Sequence, residues 1–187
     1  MSRDKLVLVT QNKHKLAELR PLFEKFDVSF ETTSVEKFEI RADDVEAVAH
    51  EAAITAYDAL KRPVVLDDTG LFVDALNGFP GTYSAYVLKA IGNAGILRLM
   101  NNINERAAKF VTAVGYADGD AIQTFVGVMS GNIARTPAGE EGFGYDPIFV
   151  PQGETRTYAQ LSLSEKVNIS HRTKAFRRFL DWYTKSL

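Results

Sequence analysis

Two adjacent carboxylates follow a short apolar run near the middle of the chain. The run 64–66 predicts a buried strand, and it leads directly into Asp67 and Asp68. Because ionised carboxylates are costly to bury unless a cation or hydrogen-bond donors meet them, we expect a positive group beside these acids. Thr69 and Gly70 come next and favour a sharp turn. An ordinary Asx-type turn at residues 68–70 is the alternative to a cation-binding role for these acids.

The first basic segment with suitable chemistry is TQNKHK, residues 10–15, where a predicted strand meets a predicted helix. The N–H groups at a helix N-terminus are unpaired and carry partial positive charge. Thr10 and Asn12 add side-chain donors, and Lys15 adds a full charge within one turn. This pattern is compatible with phosphate binding, although the glycines of a Walker loop are missing. The alternative is an ordinary capped helix with solvated lysines.

A second basic segment precedes the last predicted helix. Ser170 is a suitable N-cap, and it would place His171 and Arg172 in the first helical turn, with Lys166 just upstream. Basic side chains at this end oppose the helix dipole, and a bound anion would remove the conflict. The alternative is a surface cap with incidental charges.

The loop GFGYDPIF, residues 142–149, combines glycines with aromatic residues and Asp146. Aromatic rings on such a loop can stack a base while the main chain offers hydrogen bonds. The alternative is a turn whose rings pack into the core. Together, the acids, the lysines and the helix N-termini suggest Mg²⁺ and a polyphosphate, and Glu39 could supply a third carboxylate from a loop.

The elements that must position these residues alternate between strands and helices, which predicts a mixed α/β fold. The first half is predicted as strand 5–10, helix 12–26 kinked or split at Pro21, strand 28–34, loop 36–44 ending in an N-cap at Asp43 or Asp44, and helix 45–61. The second half is predicted as helix 83–103 broken near Gly92 and Gly95, hairpin strands 108–118 and 121–134, a glycine-rich loop 135–149, a polar segment 162–170 and an amphipathic helix 171–187.

Composition limits the function classes. The chain has 187 residues, 45% of them hydrophobic, which suits one globular domain or two closely joined lobes. A net charge of -2 provides no general basic field for nucleic acid. The lack of cysteine excludes disulfides, thiolate metal sites and cysteine nucleophiles, and fits a reducing compartment. We expect a cytoplasmic protein with no nucleic-acid partner, no signal peptide and no membrane span.

Five motifs occur in one order that resembles the inosine triphosphate pyrophosphatase (Ham1-like) family, which removes deaminated purine nucleotides. They are residues 10–15, 67–71, 78–86, 143–149 and 165–172. The chain departs from the family pattern at four positions: Asp67 replaces glutamate, Thr69 serine, Tyr86 arginine and Val167 asparagine. The first two replacements keep the type of chemistry, whereas the guanidinium that Tyr86 replaces is lost.

The resemblance implies an α/β fold with an elongated central mixed β-sheet flanked by helices. Residues 1–187 would form one catalytic domain of two lobes, with the active site in the cleft between them. It also implies a Mg²⁺-dependent homodimer that hydrolyses ITP, XTP and dITP to the nucleoside monophosphate and pyrophosphate.

The family motifs also imply roles for individual residues. Asp68 would be the general base, and Asp68 and Glu39 would bind Mg²⁺, with Asp67 close enough to help. Arg172 would donate to the 6-keto oxygen of the base, and Phe143 or Phe149 would stack on the ring. The implied substrate-binding residues are Thr10, Gln11, Asn12, Lys13, His14, Lys15, Thr69, Phe143, Gly144, Tyr145, Asp146, Lys166, His171 and Arg172.

Three other functions stay open at this point. A Maf-type pyrophosphatase of pyrimidine nucleotides is the nearest, and the motifs 143–149 and 170–172 favour the purine enzyme over it. A nucleotide sensor that has lost hydrolysis is a second, and the presence of Asp68, Lys15 and Lys166 counts against it. A plain interaction domain is the third.

Overall fold

The computed structural model describes residues 5–33, 42 and 44–185. These residues form two compact units. The first contains the described residues up to 68, together with 112–127 and those from 172 onwards. The second contains 69–111 and 128–171. The predicted loop 36–44, including Glu39, lies outside the described residues except for 42 and 44.

The described strands belong to one mixed sheet with the order β2-β1-β3-β5-β6-β7, and β4 pairs with β3. Strand β1 is parallel to β2 and β3, whereas the pairs β3–β4 and β6–β7 are antiparallel. The strands are β1 (Leu6–Val9), β2 (Phe30–Thr33), β3 (Val64–Val73), β4 (Pro80–Gly81), β5 (Ala107–Ala117), β6 (Ile122–Ile133) and β7 (Phe149–Pro151).

Helices flank this sheet, and the predicted α/β class with a central mixed sheet is confirmed. The helices are α1 (Lys13–Lys25), α2 (Val45–Leu60), α3 (Ser84–Leu99), α4 (Leu163–Ile169) and α5 (His171–Lys185). Asp44 caps α2, as predicted, by accepting a hydrogen bond from the Glu46 N–H at 3.0 Å. No helix in the described ranges is long and apolar enough to cross a membrane.

The core of the first unit joins β1 to α1 and α5. All four residues of β1 are buried, because an apolar strand inside a sheet is covered on both faces. Helix α5 contributes the apolar face that its spacing predicts. The helical side chains of this core include Leu19, Leu22 and Phe23 from α1 and Phe176, Phe179 and Leu180 from α5.

The core of the second unit is built around the later strands and α3. Its side chains include Leu71, Val73, Val87, Ile96, Phe110, Met129, Ile133, Phe149 and Tyr158. The predicted break in α3 is confirmed at Gly92, whose φ of 62° and ψ of -174° are not helical. Gly95 lies inside the helix and does not break it.

The predicted splitting of α1 at Pro21 is wrong, because the helix is continuous from Lys13 to Lys25. Proline removes one backbone hydrogen bond, and the exposed ring of Pro21 faces away from the core. Leu22 and Phe23, the next two residues, are buried. Their packing outweighs the lost hydrogen bond.

The predicted turn at Thr69 and Gly70 is also wrong, as is the Asx-turn alternative, because β3 continues to Val73. Strand β4 pairs with β3 at this point, with Leu71 opposite Gly81. A Cβ on Gly70 would lie 2.7 Å from the carbonyl oxygen of Gly81. Gly70 therefore permits the close approach of β4 and does not mark the end of the strand.

Candidate functional site

The turn 10–15 joins β1 to α1, and Asn12 closes it as the helix N-cap. Its Oδ1 accepts hydrogen bonds from the N–H groups of His14 at 2.9 Å and Lys15 at 3.2 Å. The Asn12 N–H donates to the Thr10 hydroxyl at 3.2 Å. The capping explanation is therefore confirmed for Asn12, since these helix donors are used inside the chain. Phosphate binding by this turn then depends mainly on its side chains.

Lys15 is the side chain of this turn that meets the paired acids. Its ammonium lies 2.8 Å from Asp67 Oδ2. The Asp67 side chain is 1% exposed and that of Lys15 is 19% exposed. The positive group expected beside Asp67 is therefore, in part, a lysine of the protein itself. The remaining members of the turn, Gln11 and Lys13, are exposed.

Arg172, in the first turn of α5, supplies the second cation for Asp67. Its Nε donates to Asp67 Oδ2 at 3.2 Å, and its Nη1 donates to Glu18 Oε2 at 2.5 Å. Burial lowers the pKa of the Arg172 guanidinium, but the charges of Asp67 and Glu18 outweigh burial and raise that pKa. The anion expected at the start of α5 is thus provided by protein carboxylates, and base recognition by Arg172 stays a prediction.

Glu18 is the residue of this cluster that the sequence analysis missed. It is 2% exposed and lies on α1 next to buried Leu19. The signal was present, because residues 15, 18, 19 and 22 have the spacing of one helical face. An acid on that face, one turn after a basic residue, needs a cation to be buried.

Asp68 lies beside Asp67 in β3 and is partly buried. Successive strand residues project in alternate directions, so the Asp68 side chain does not follow that of Asp67 into the core and is less buried. Asp67 Oδ2 already faces Lys15 and Arg172, and help from Asp67 in binding a metal stays a prediction. Within the described ranges, His, Asp and Glu side chains form no group of three that could hold a metal ion.

In the second unit, the loop 143–146 is held by Asp146. The Asp146 Oδ2 accepts from the Phe143 N–H at 2.8 Å and from the Lys166 ammonium at 2.5 Å. Asp146 and Lys166 are both nearly completely buried. Gly142 has a φ of 75°, and a Cβ there would lie 2.1 Å from Asp146 Oδ2. This ion pair therefore requires glycine before Phe143.

Lys166 is presented by α4, a helix that was not predicted. The ammonium lies 5.0 Å from the centre of the Phe143 ring and 5.4 Å from that of Tyr158. A capping box between Ser162 and Glu165 starts the helix. Hydrogen bonds from Ser162 and Arg156 lower the pKa of Glu165 to about 2.

Two of the aromatic residues that were candidates for base recognition belong to the core. Tyr145 is buried, its hydroxyl donates to the Ser84 carbonyl at 2.8 Å, and burial raises its pKa to about 12. Phe149 is completely buried and packs at 4.7 Å from Phe110, so its expected role in stacking is wrong. In both cases the core alternative is confirmed.

Three further candidates differ in their exposure. Phe143 is partly exposed, which leaves it as the candidate for stacking. His171 is buried and stacks on Phe110 at 4.6 Å. Thr69 is partly buried in β3. Asn93, which the sequence analysis missed, donates to the carbonyl of Gly144 at 3.0 Å and so holds the loop.

Comparison with known proteins agrees with the five motifs. The family model described as the Ham1 family matches residues 6–182. The chain is 44% identical to a dITP/XTP pyrophosphatase of Methanopyrus kandleri over 98% of both chains, and 44% identical to one of Saccharolobus solfataricus over 95% of this chain and 93% of the other.

Solved structures of Ham1 proteins have the same fold as this chain. A HAM1 protein of Coxiella burnetii has a TM-score of 0.86 at 32% identity, over 97% of this chain and 98% of the other. The Ham1 protein of Staphylococcus aureus has a TM-score of 0.82 at 31% identity, over 98% of this chain and 100% of the other. Since motifs, near-complete sequence matches and fold all agree, the chain belongs to the Ham1 family.

Proposed function

We propose that this chain is a nucleoside triphosphate pyrophosphatase. Its substrates would be the deaminated purine nucleotides ITP, XTP and dITP, and its products the nucleoside monophosphate and pyrophosphate. The names of the relatives support this substrate class. The reaction would remove deaminated bases from the nucleotide pool. The predicted homodimer and cytoplasmic location stay predictions.

The observation that carries the proposal is the Lys15–Asp67 ion pair directly beside Asp68. The pair holds an ammonium, which is a phosphate ligand, at the β1–α1 turn, where the exposed Lys13 and His14 are also found. Asp68 follows Asp67 in β3 and is a partly buried carboxylate. A fixed cation for phosphate and a separate carboxylate for water are what hydrolysis of an anhydride requires.

We further propose that Asp68, together with Glu39, holds Mg²⁺. Carboxylate oxygens are the ligands that Mg²⁺ prefers, and Asp68 is a partly buried carboxylate of this kind. Asp67 is not included, because two cations already share its Oδ2. The bound ion would lower the pKa of a coordinated water and offset phosphate charge.

In the proposed reaction Asp68 accepts a proton from the attacking water. The water oxygen bonds to the α-phosphorus, and the bond from that phosphorus to the oxygen bridging to the β-phosphorus breaks. The electron pair leaves with pyrophosphate. Lys15 donates to phosphate oxygens, on which negative charge develops, and Asp67 holds the ammonium in place for that role.

Recognition of the 6-keto oxygen of the purine is assigned to Arg172, and Phe143 would stack on the ring, whereas Lys166 would neutralise the triphosphate. The guanidinium of Arg172 can only donate hydrogen bonds. A donor directed at position 6 of the purine accepts a keto oxygen and is left unpaired by the amino group of adenine. An unpaired buried donor costs about 1–3 kcal/mol, or roughly ten- to hundredfold in affinity.

Steady-state kinetics with ITP, XTP, dITP, ATP and dTTP, each with Mg²⁺, test this assignment. We expect kcat/KM for the three deaminated nucleotides to exceed that for ATP by at least about tenfold, because of the unpaired donor. Equal values for ITP and ATP would contradict the base-recognition argument. A preference for dTTP would instead favour a Maf-type enzyme, and no turnover of any nucleotide would favour a sensor.

A further inference from the structure

We propose that Glu18 is a positioning residue of this enzyme, which acts on the phosphate-binding ammonium of Lys15 through Arg172 and Asp67. This inference rests on the proposed function, because it assumes that Lys15 binds phosphate. Glu18 accepts a hydrogen bond from Arg172, and in this proposal it acts through that contact and not as a ligand of the substrate.

The contacts form a series of alternating charges. Glu18 accepts from Arg172 Nη1 at 2.5 Å, and Arg172 Nε donates to Asp67 Oδ2 at 3.2 Å. The same Asp67 oxygen accepts from the Lys15 ammonium at 2.8 Å. Asp67 Oδ2 therefore contacts two cations. A carboxylate that balances the charge of Arg172 lets Asp67 attract the Lys15 ammonium more strongly.

The burial of these groups gives the series a direction. The side chains of Glu18, Arg172 and Asp67 are at most 3% exposed, whereas that of Lys15 is 19% exposed. The series thus begins inside the first unit and ends in the turn 10–15. Glu18 and Lys15 both belong to α1 and are three residues apart, so the helix fixes the distance between its two ends.

Stability alone is a weak reason for such a series. Removing charges from water is costly, and well-packed apolar side chains often replace a buried ion pair without loss of stability. A carboxylate at position 18 is better explained by its effect on the charge of Arg172. Asp67 then remains charged towards Lys15, and the ammonium stays fixed where phosphate would bind.

Glu18→Gln tests this inference, because it removes the charge but keeps the shape. Arg172 then loses the charge of Glu18 and is attracted more strongly to Asp67, which weakens the hold of Asp67 on Lys15. We expect the Kd for inorganic pyrophosphate, measured by calorimetry with Mg²⁺, to rise about tenfold through the weakened contact with Lys15. The KM for dITP should rise in parallel, with a smaller change in kcat. Glu24→Gln, at an exposed position of the same helix, is the control and should match the wild type.

A double-mutant cycle separates positioning from general damage to the fold. In a Lys15→Met background, Glu18→Gln should change the Kd for pyrophosphate by less than about twofold, since its target is gone. Equal effects in both backgrounds would overturn the proposal. If Glu18→Gln does not fold, Glu18→Asp keeps the charge with a shorter reach and is tested in the same cycle, with the same two outcomes. The proposed function fails separately, if the wild type does not hydrolyse dITP.

Discussion

Asp68→Asn is expected to lower kcat for dITP by at least about a thousandfold, because the proton acceptor is removed. The substitution changes one carboxylate oxygen to an amide and keeps the size of the side chain. Asn cannot accept the proton of water at neutral pH, and it is also a weaker ligand for Mg²⁺. The measurement is pyrophosphate release at saturating dITP and Mg²⁺.

The fold should survive this change. Asp68 is partly exposed, and the buried charges of its neighbourhood are balanced through Asp67. The thermal unfolding midpoint should therefore stay close to that of the wild type. Asp58→Asn is a suitable control, since Asp58 pairs with Lys61 on the surface of α2. Activity near the wild-type value in Asp68→Asn would contradict the assignment of the base.

Lys15→Met is expected to lower kcat/KM for dITP by about a hundredfold, which is the value of a charge-assisted hydrogen bond to phosphate. Methionine keeps an apolar stem of similar length, so the change is mainly the loss of the ammonium. Asp67 retains its hydrogen bond from Arg172 and is not left as an unpaired buried charge. The measurement is the full dependence of rate on dITP concentration.

A matched control for this variant is Lys61→Met. Lys61 forms a surface ion pair with Asp58 at 2.9 Å, and surface pairs contribute little to stability. Its removal should leave kcat and KM unchanged. If Lys15→Met also keeps the wild-type kcat and KM, the phosphate must bind elsewhere.

The elements that could be predicted from the sequence are those with a strong periodic pattern. Helices α2 and α5 and the β5–β6 hairpin were predicted because local pattern and tertiary packing agree there. Strand β3 was not predicted to its end, because residues 67–70 favour a turn locally while pairing with β4 extends the strand. Helix α4 has only seven residues, too few for a clear periodic pattern, and its capping box was the signal that was available.

The sequence was sufficient to predict which types of residue form the candidate site. It was less informative about the role of each residue. Spacing alone identified Lys15 and the two acids, but whether Asp67 faces a metal or a lysine depends on the fold. Burial decided the role of Phe149, since a ring after a glycine-rich loop has the same local sequence whether it binds a base or fills a core. Glu18 was missed because its partner, Arg172, lies 154 residues away.

In the proposed reaction, water attacks the α-phosphorus and pyrophosphate is released. The most direct test of this reaction is hydrolysis of dITP by the wild type in oxygen-18 water with Mg²⁺, followed by phosphorus NMR of the products. We predict dIMP that carries the heavy oxygen, together with unlabelled pyrophosphate. Release of single phosphate would contradict the reaction type, and label in pyrophosphate with unlabelled dIMP would contradict attack at the α-phosphorus.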